Sequence, residues 1–393
     1  MAYKKISIGI LGSTGSIGRT SLSILEKYRK NFSIDLLSCQ KNIHIIDKQI
    51  KNFSPKFVII NDIKSFNLLR KKKYKKKVIF FNTLEAFNKF KKKKFDTVIL
   101  GISSINGLEY AFSFINHTKK LLVANKETLV CGGNFFLNQA KKKNCTISSI
   151  DSEHYCLSHL LNKYKCEEIE KIYLTASGGP FLNNSTKEIS RVESTLALKH
   201  PKWKMGKKIS IDSATMANKG LEVMEASILF NIHPNKIKIK IHPDSKVHAI
   251  IVLKNGLVIL VAHNTSMSIP IKNSLLESIN KKNLKFFYNN NFFNKKKLFT
   301  FSFDEINLKK FKMLNLAYKA MSYGDRGCIF YNVVNDCLVD DYLNKKIFFY
   351  EIYNKLNKII NNKKLVSYYK EKIKNYNDIK NTIIFAKQYK ASI

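Results

Sequence analysis

The sequence predicts an α/β protein in three parts. Short apolar runs alternate with helical spacing through the first ~150 residues, a glycine-rich turn follows the first of those runs, and from about residue 309 only helical spacing remains. Short apolar strands separated by helices indicate a parallel sheet covered on both faces.

In chain order, Ile6 to Leu11 is a strand that ends at glycines, and Thr20 to Tyr28 has helical spacing. Ile34 to Ser38, Phe57 to Ile60, Val78 to Phe81, Val98 to Leu100, Leu121 to Val123 and Thr146 to Ile150 are the further strand candidates. Residues 1–150 therefore read as a doubly wound, Rossmann-like dinucleotide-binding domain. The texture changes from Asp151, and five of the six prolines lie between Pro180 and Pro270. Lys254-Asn255-Gly256 separates the apolar runs 247–253 and 257–262, which is a hairpin signal. Residues 151–285 read as a catalytic α+β domain, 286–308 as a lysine-rich linker, and 309–393 as a C-terminal helical bundle opened by Leu314, Leu316, Ala317, Ala320 and Met321.

Lys and Arg number 69 against 29 Asp and Glu, a net charge of +40. The densest runs, Arg70 to Lys77, Lys91 to Lys94 and Lys295 to Lys297, sit between apolar segments, where solvated surface is expected. No zinc finger, RNP string or KH-like GXXG clamp is visible, so the charge implies non-specific attraction to nucleic acid and to anionic small molecules, without a specific nucleic-acid partner. The seven cysteines are odd in number and contain no CxxC pair, which speaks against a disulfide framework or zinc ribbon and for a reducing compartment. The chain runs from Met1 into a strand within a few residues, and no apolar run approaches the ~18 residues of a membrane span. The expectation is a cytoplasmic protein with no membrane partner.

Gly12-Ser-Thr-Gly15-Ser-Ile-Gly18 follows a strand and opens a helix, a GxxGxxG variant of the turn that brings backbone amides to a pyrophosphate. At the end of the next strand, Ser38-Cys39-Gln40-Lys41-Asn42 lacks the carboxylate that would take ribose hydroxyls, and offers Lys41 to a 2′-phosphate. That favours NADPH. Asp151 and Glu153, at i and i+2 of a chain read as extended, would face one way and grip a hard cation, with Glu222 as a third oxygen ligand. Taken alone, a DxE pair is ordinary solvated surface. Ser177 in Ala176–Pro180 and Ser213 in Ile211–Met216, both read as loops after strands, resemble with Asn218 and Lys219 a phosphate cradle. Each serine taken singly serves equally well as an ST turn or helix cap. Trp203, the only tryptophan, lies in the polar segment His200–Gly206 and is either a core plug or part of a lid.

In this order, the strings GSTGSIG (12–18), ANKETLV (124–130), DSEH (151–154), SGGPF (177–181), HPKWKMGKKISIDSATMANKGLE (200–222) and IHP…S…H (241–248) resemble the 1-deoxy-D-xylulose 5-phosphate reductoisomerases. These are the NADPH enzymes of non-mevalonate isoprenoid synthesis. The resemblance spans Ile6 to about Pro270, and more loosely includes Asn332 and Asn335. It implies NADPH contacts from Thr14, Gly15, Ser16, Ile17, Gln40, Lys41, Asn42, Asn125, Glu127 and Gly206, and a Mg²⁺ or Mn²⁺ held by Asp151, Glu153 and Glu222. It implies that Ser152, Ser177, His200, Ser213, Asn218 and Lys219, with Lys126, Glu153 and Glu222, meet the sugar phosphate. Lys126, Glu153, His200 and His154 would handle protons, and Trp203 and Met205 would sit in a lid near 199–208. The implied reaction is a metal-assisted retro-aldol and aldol rearrangement of 1-deoxy-D-xylulose 5-phosphate, then hydride reduction to 2-C-methyl-D-erythritol 4-phosphate, by a homodimer.

Gln40 stands where the family usually has glycine, the loop Gly101–Gly107 is usually smaller, and Tyr155 and Cys156 replace different neighbours. A semialdehyde or acyl-phosphate dehydrogenase shares the GxTGxxG turn but needs a nucleophilic cysteine opening a helix, with a histidine partner. Cys156 and Cys166 lie in no such context.

Overall fold

β-Branched and aromatic residues fill the apolar runs of the N-terminal half, and there they fold as strands. The structure, a computed structural model, describes residues 5–90, 94–203, 205–277, 279, 292 and 300–392. Seven parallel strands, β1 (Ile6–Leu11), β2 (Phe32–Cys39), β3 (Phe57–Ile60), β4 (Ile79–Phe81), β5 (Phe95–Leu100), β6 (Thr118–Val123) and β7 (Thr146–Ser149), form one sheet in the order β4-β3-β2-β1-β5-β6-β7. The order reverses between β1 and β5, and such switch points are where doubly wound sheets bind ligands.

Contacts divide the chain into two units, 1–128 with 136–151 and 267–288, and 129–135 with 152–266 and 289–393. In the first, Leu22 and Leu25 of the helix Ser16–Lys27 pack with Ile8, Ile10 and Leu37 of the sheet. Ile271 and Leu275 of the helix Ser268–Leu276 join the same core. Each such side chain contributes roughly 1.5–3 kcal/mol by leaving water.

The second unit is built on a five-stranded mixed sheet of β8 (Ile169–Ala176), β9 (Ile237–Ile241), β10 (Val247–Leu253), β11 (Val258–Ala262) and β12 (Asp304–Glu305), in the order β11-β10-β8-β9-β12. β10 and β11 are the expected hairpin, turning at Gly256 with φ +90°. Helices Ser152–Leu161 and Ala217–Phe230 cover the sheet through Leu157, Val223 and Ala226. The helix Lys312–Ser322 adds Leu314 to that core, and a further long helix, Asp325–Leu343, follows it.

Several local expectations are corrected. The chain after β7 is not extended: Ser152–Leu161 is helical, so Glu153 stands in a first helical turn and the strand alternation invoked for Asp151 and Glu153 does not apply. Ser213 lies in the helix Lys207–Thr215, whose small polar residues hide a helical period, rather than in a loop after a strand. Most of the expected linker 286–308, the lysine run 295–297, Lys91 to Lys93, and Lys204 of the expected lid lie outside the described residues. The described end of that linker contains β12, antiparallel to β9. No helix among the described residues is long and apolar enough to cross a membrane.

Gly18 is pressed onto the turn that precedes its own helix. A Cβ there would stand 2.4 Å from Ser13 Cα and 2.5 Å from Gly12 O, both backbone atoms that cannot step aside. Gly18→Ala should therefore lower stability by about 1–3 kcal/mol, read as a lower Tm, and should weaken NADPH binding in parallel.

Candidate active site

In the first unit, the glycine turn leaves the end of β1 with Gly12 at φ +78°, and a Cβ at Gly12 would meet Gly101 O at 2.9 Å. Gly15 caps the helix Ser16–Lys27 and offers its first-turn amides no side-chain acceptor, which leaves them open to an anion. Gly15 and Ser16 are exposed, and Thr14 and Ile17 half-buried. Ser13 instead turns inward, its hydroxyl donating to the Gln49 side-chain carbonyl at 2.7 Å and its amide to the Ser38 carbonyl at 2.8 Å. Gln40, Lys41 and Asn42 are exposed at the end of β2, and the Asn42 carbonyl oxygen caps the helix Ile43–Phe53 through the Ile45 amide at 3.1 Å.

Asn125 ties its helix to the loop before it. Its side-chain amide donates to the carbonyls of Ile102 and Ser104, and its oxygen caps the helix Lys126–Lys142 at the Thr128 amide. Both of its donors are thus spent on the loop 101–107, which marks it as a holder of that loop. Glu127 is half-exposed in the first turn of the same helix. Lys126 is buried, with its ammonium 2.8 Å from Asp151.

In the second unit, Lys219 is the centre. Its ammonium, 4% exposed, binds Glu153 at 3.0 Å and also binds Glu222. Carboxylate oxygens of Glu153 and Glu222 lie within 4.8 Å of one another. Asn218 donates to Glu222, and Ser152 to Glu153. Burial pushes the Glu153 carboxyl up, but Lys219 and a hydrogen bond from His248 outweigh it and hold the group well below the usual carboxylate range. Behind this cluster His154 is fully buried, its Nε2 donating to the Glu222 carbonyl at 2.9 Å and its Nδ1 3.3 Å from Glu225. His154 therefore holds the backbone of Glu222.

Ser177 leaves β8 where Gly178 and Gly179 take φ +88° and +68°. A Cβ at Gly179 would sit 2.7 Å from the Ser213 carbonyl, so glycine is what lets this loop lie against the helix Lys207–Thr215. His200 Nδ1 accepts from the amides of Trp203 at 2.9 Å and Lys202 at 3.2 Å, so the ring hydrogen is on Nε2, 2.9 Å from Ser177 Oγ. Ser177 Oγ also accepts from the Gly179 amide at 3.1 Å. Its two lone pairs are then filled, and its hydroxyl hydrogen points elsewhere. Ser213 is buried and Asn218 half-buried nearby in sequence. Trp203 and Met205 are half-buried, and exposed Gly206 caps the helix Lys207–Thr215.

Sequence reasoning passed over His248, which was quoted within a motif but given no role, and Glu225, the partner of His154. It also passed over Asp212, which lies buried with Lys208 at 2.7 Å and the Asn335 amide at 2.7 Å. Lys208 also reaches Asp336 at 2.8 Å. The residue types were visible, but nothing in local spacing announces partners such as Glu225 for His154 or Asn335 for Asp212, more than 60 positions away.

Burial, then the Lys219 charge, pushes His200 from 6.5 down to about 4. Below about 6.5 the unfolded chain takes up a proton that the folded ring refuses until about 4. Stability should therefore fall as pH drops through that window, and His200→Gln should shrink the fall in denaturant titrations at pH 7 and pH 4.5.

Three family models match the chain: 1-deoxy-D-xylulose 5-phosphate reductoisomerase over residues 8–133, its C-terminal domain over 147–230, and a DXP reductoisomerase C-terminal domain over 263–389. A 1-deoxy-D-xylulose 5-phosphate reductoisomerase of Pelagibacter ubique is 40% identical over 95% of this chain and 96% of its own. One of Wolbachia pipientis subsp. Culex pipiens is 36% identical over 91% and 90%. Among solved structures, a DOX-P reductoisomerase in complex with NADPH, fosmidomycin and magnesium superposes with a TM-score of 0.88 at 28% identity, covering 98% of each chain. The enzyme of Zymomonas mobilis in complex with NADPH gives 0.87 at 26% identity, covering 99% of each. With its glycine turn, its carboxylate–lysine cluster and all three models in sequence, this chain belongs to the 1-deoxy-D-xylulose 5-phosphate reductoisomerase family.

Proposed function

We propose that the chain converts 1-deoxy-D-xylulose 5-phosphate to 2-C-methyl-D-erythritol 4-phosphate, using NADPH and a divalent cation. The observation that carries this reading is the ammonium of Lys219 shared by Glu153 and Glu222. Two carboxylates and one ammonium sum to −2 + 1 = −1, so the cluster is built around positive charge and has room for more of it. Hard oxygen donors suit Mg²⁺ or Mn²⁺, and Asp151, two residues before Glu153, is the third ligand in this reading. For NADPH, the first-turn amides that follow Gly15 fit the pyrophosphate and exposed Lys41 fits the 2′-phosphate.

When bound, the cation supplies Lewis acidity to the substrate's ketone and adjacent hydroxyl, and NADPH supplies the hydride. The chain's own groups position and screen. Ser177 directs its remaining hydroxyl hydrogen at a phosphate oxygen, held there by the His200 and Gly179 donors, with Ser213, Asn218 and Lys219 completing the cradle. Glu153, kept ionised by Lys219 and His248, serves better as a ligand than as a proton carrier, because a strongly depressed carboxyl is a weak base. Lys126, dry and paired with Asp151, is the remaining proton donor for the reacting end. His200, neutral near pH 7, donates from Nε2. Trp203 and Met205 belong to the lid over 199–208, which keeps water from the reacting carbons. Residues 1–150 form the cofactor domain in this reading, 151–285 the catalytic domain and 309–393 the helical domain, in a cytoplasmic homodimer.

Mixing the protein with 1-deoxy-D-xylulose 5-phosphate, NADPH and Mn²⁺ should oxidise NADPH, and EDTA should abolish the signal. A folded, NADPH-binding protein that leaves nicotinamide absorbance unchanged would sink the reading. Glu222→Gln should lower kcat/KM by at least about 100-fold, some 2.7 kcal/mol. Lys41→Ala should raise the KM for NADPH about tenfold while leaving the KM for NADH nearly unchanged.

A further inference from the structure

The hairpin β10–β11 places two histidines face to face. His248 and His263 stack with ring centroids 3.9 Å apart and planes 23° from parallel, and both are buried. His248 Nε2 lies 3.3 Å from the His263 carbonyl, and a carbonyl only accepts, so Nε2 carries a hydrogen. The same ring also makes a side-chain hydrogen bond to Glu153. On the other ring, His263 Nδ1 is 2.7 Å from the Asn264 carbonyl and donates to it. Its Nε2 is buried without a hydrogen-bond partner among the described residues. Burial and the neighbouring His248 push His263 down to about 4, so this ring is neutral near pH 7.

We infer that His263 is a positioning residue: its plane, pinned by the hydrogen bond to Asn264, fixes the plane of His248 and so aims His248 at Glu153. The second torsion of a histidine is broad and roughly two-fold, so hydrogen bonds at its ring edge still leave the His248 plane room to rock. A ring stacked flat against it removes that freedom, as partners behind a ligand often do for the ligand itself. Trp203 also meets His248 edge-on, with centroids 6.3 Å apart and planes at 67°. Trp203, His248 and His263 thus make one aromatic group with His248, the ring bonded to Glu153, at its middle. The inference rests on the reading of Glu153 as a metal ligand.

The test uses the full chain with NADPH and reads Mn²⁺ affinity by electron paramagnetic resonance. The emission of Trp203, the only tryptophan, reports the group directly. His263→Ala should weaken Mn²⁺ binding by about 10-fold, shift the Trp203 emission and raise the KM for metal more than it lowers kcat. His263→Phe restores a stacked ring and should return all three toward wild type. If His263→Ala does not fold, His263→Leu fills the space without a stacking plane and should show the same losses. Wild-type Mn²⁺ affinity and emission in the folded Ala or Leu variant would overturn the inference, as would a Phe variant as weak as they are. A wild-type chain that binds no Mn²⁺ would overturn the metal reading itself, and the inference with it.

Discussion

One buried ammonium sets the terms for the rest of the second unit. Lys219, 4% exposed, is shared by Glu153 from one helix and Glu222 from its own. Removing one member of such a cluster leaves an uncompensated buried charge, typically a loss of 3–5 kcal/mol. The neighbouring residues therefore serve the cluster. Ser152, Asn218 and His248 donate to the carboxylates, and His154 with Glu225 fixes the Glu222 backbone from behind. A hydrophobic core of the same volume would be easier to stabilise, so what the arrangement provides is a place for charge.

The phosphate side obeys a second constraint, hydrogen-bond direction. His200 accepts two backbone amides on Nδ1, which forces its hydrogen to Nε2, which in turn fills a lone pair of Ser177. The Gly179 amide fills the other. One hydroxyl hydrogen is left for an incoming anion, and its direction is dictated by atoms some 23 positions along the chain. The positive φ at Gly178 and Gly179 is what lets the loop turn tightly enough for this.

Much of this was legible in the sequence, because strands and glycine turns are written locally. β1, β3 and the β10–β11 hairpin fall where apolar runs and Asn255-Gly256 place them. The site residues were legible as types, since Glu222, Lys219 and Asn218 stand within one helical turn or so. Their partners were not. The helix from Ser152 was misread as extended because DSEH has no apolar period, and the helix around Ser213 because SIDSAT is small and polar throughout. The two carbonyls that hold the Asn125 amide come from a loop more than 20 positions earlier, which local spacing does not announce. His263 carried no signal at all, since a stack across a hairpin exists only once the register is set.

The most direct measurement is anomalous diffraction from crystals grown with Mn²⁺ and NADPH. The predicted result is a manganese peak bonded by Asp151, Glu153 and Glu222, with the Lys219 ammonium withdrawn from at least one of the two carboxylates it now shares. A peak elsewhere, or a Lys219 still bridging Glu153 and Glu222 with no manganese beside it, would contradict the assignment of this cluster as the metal centre.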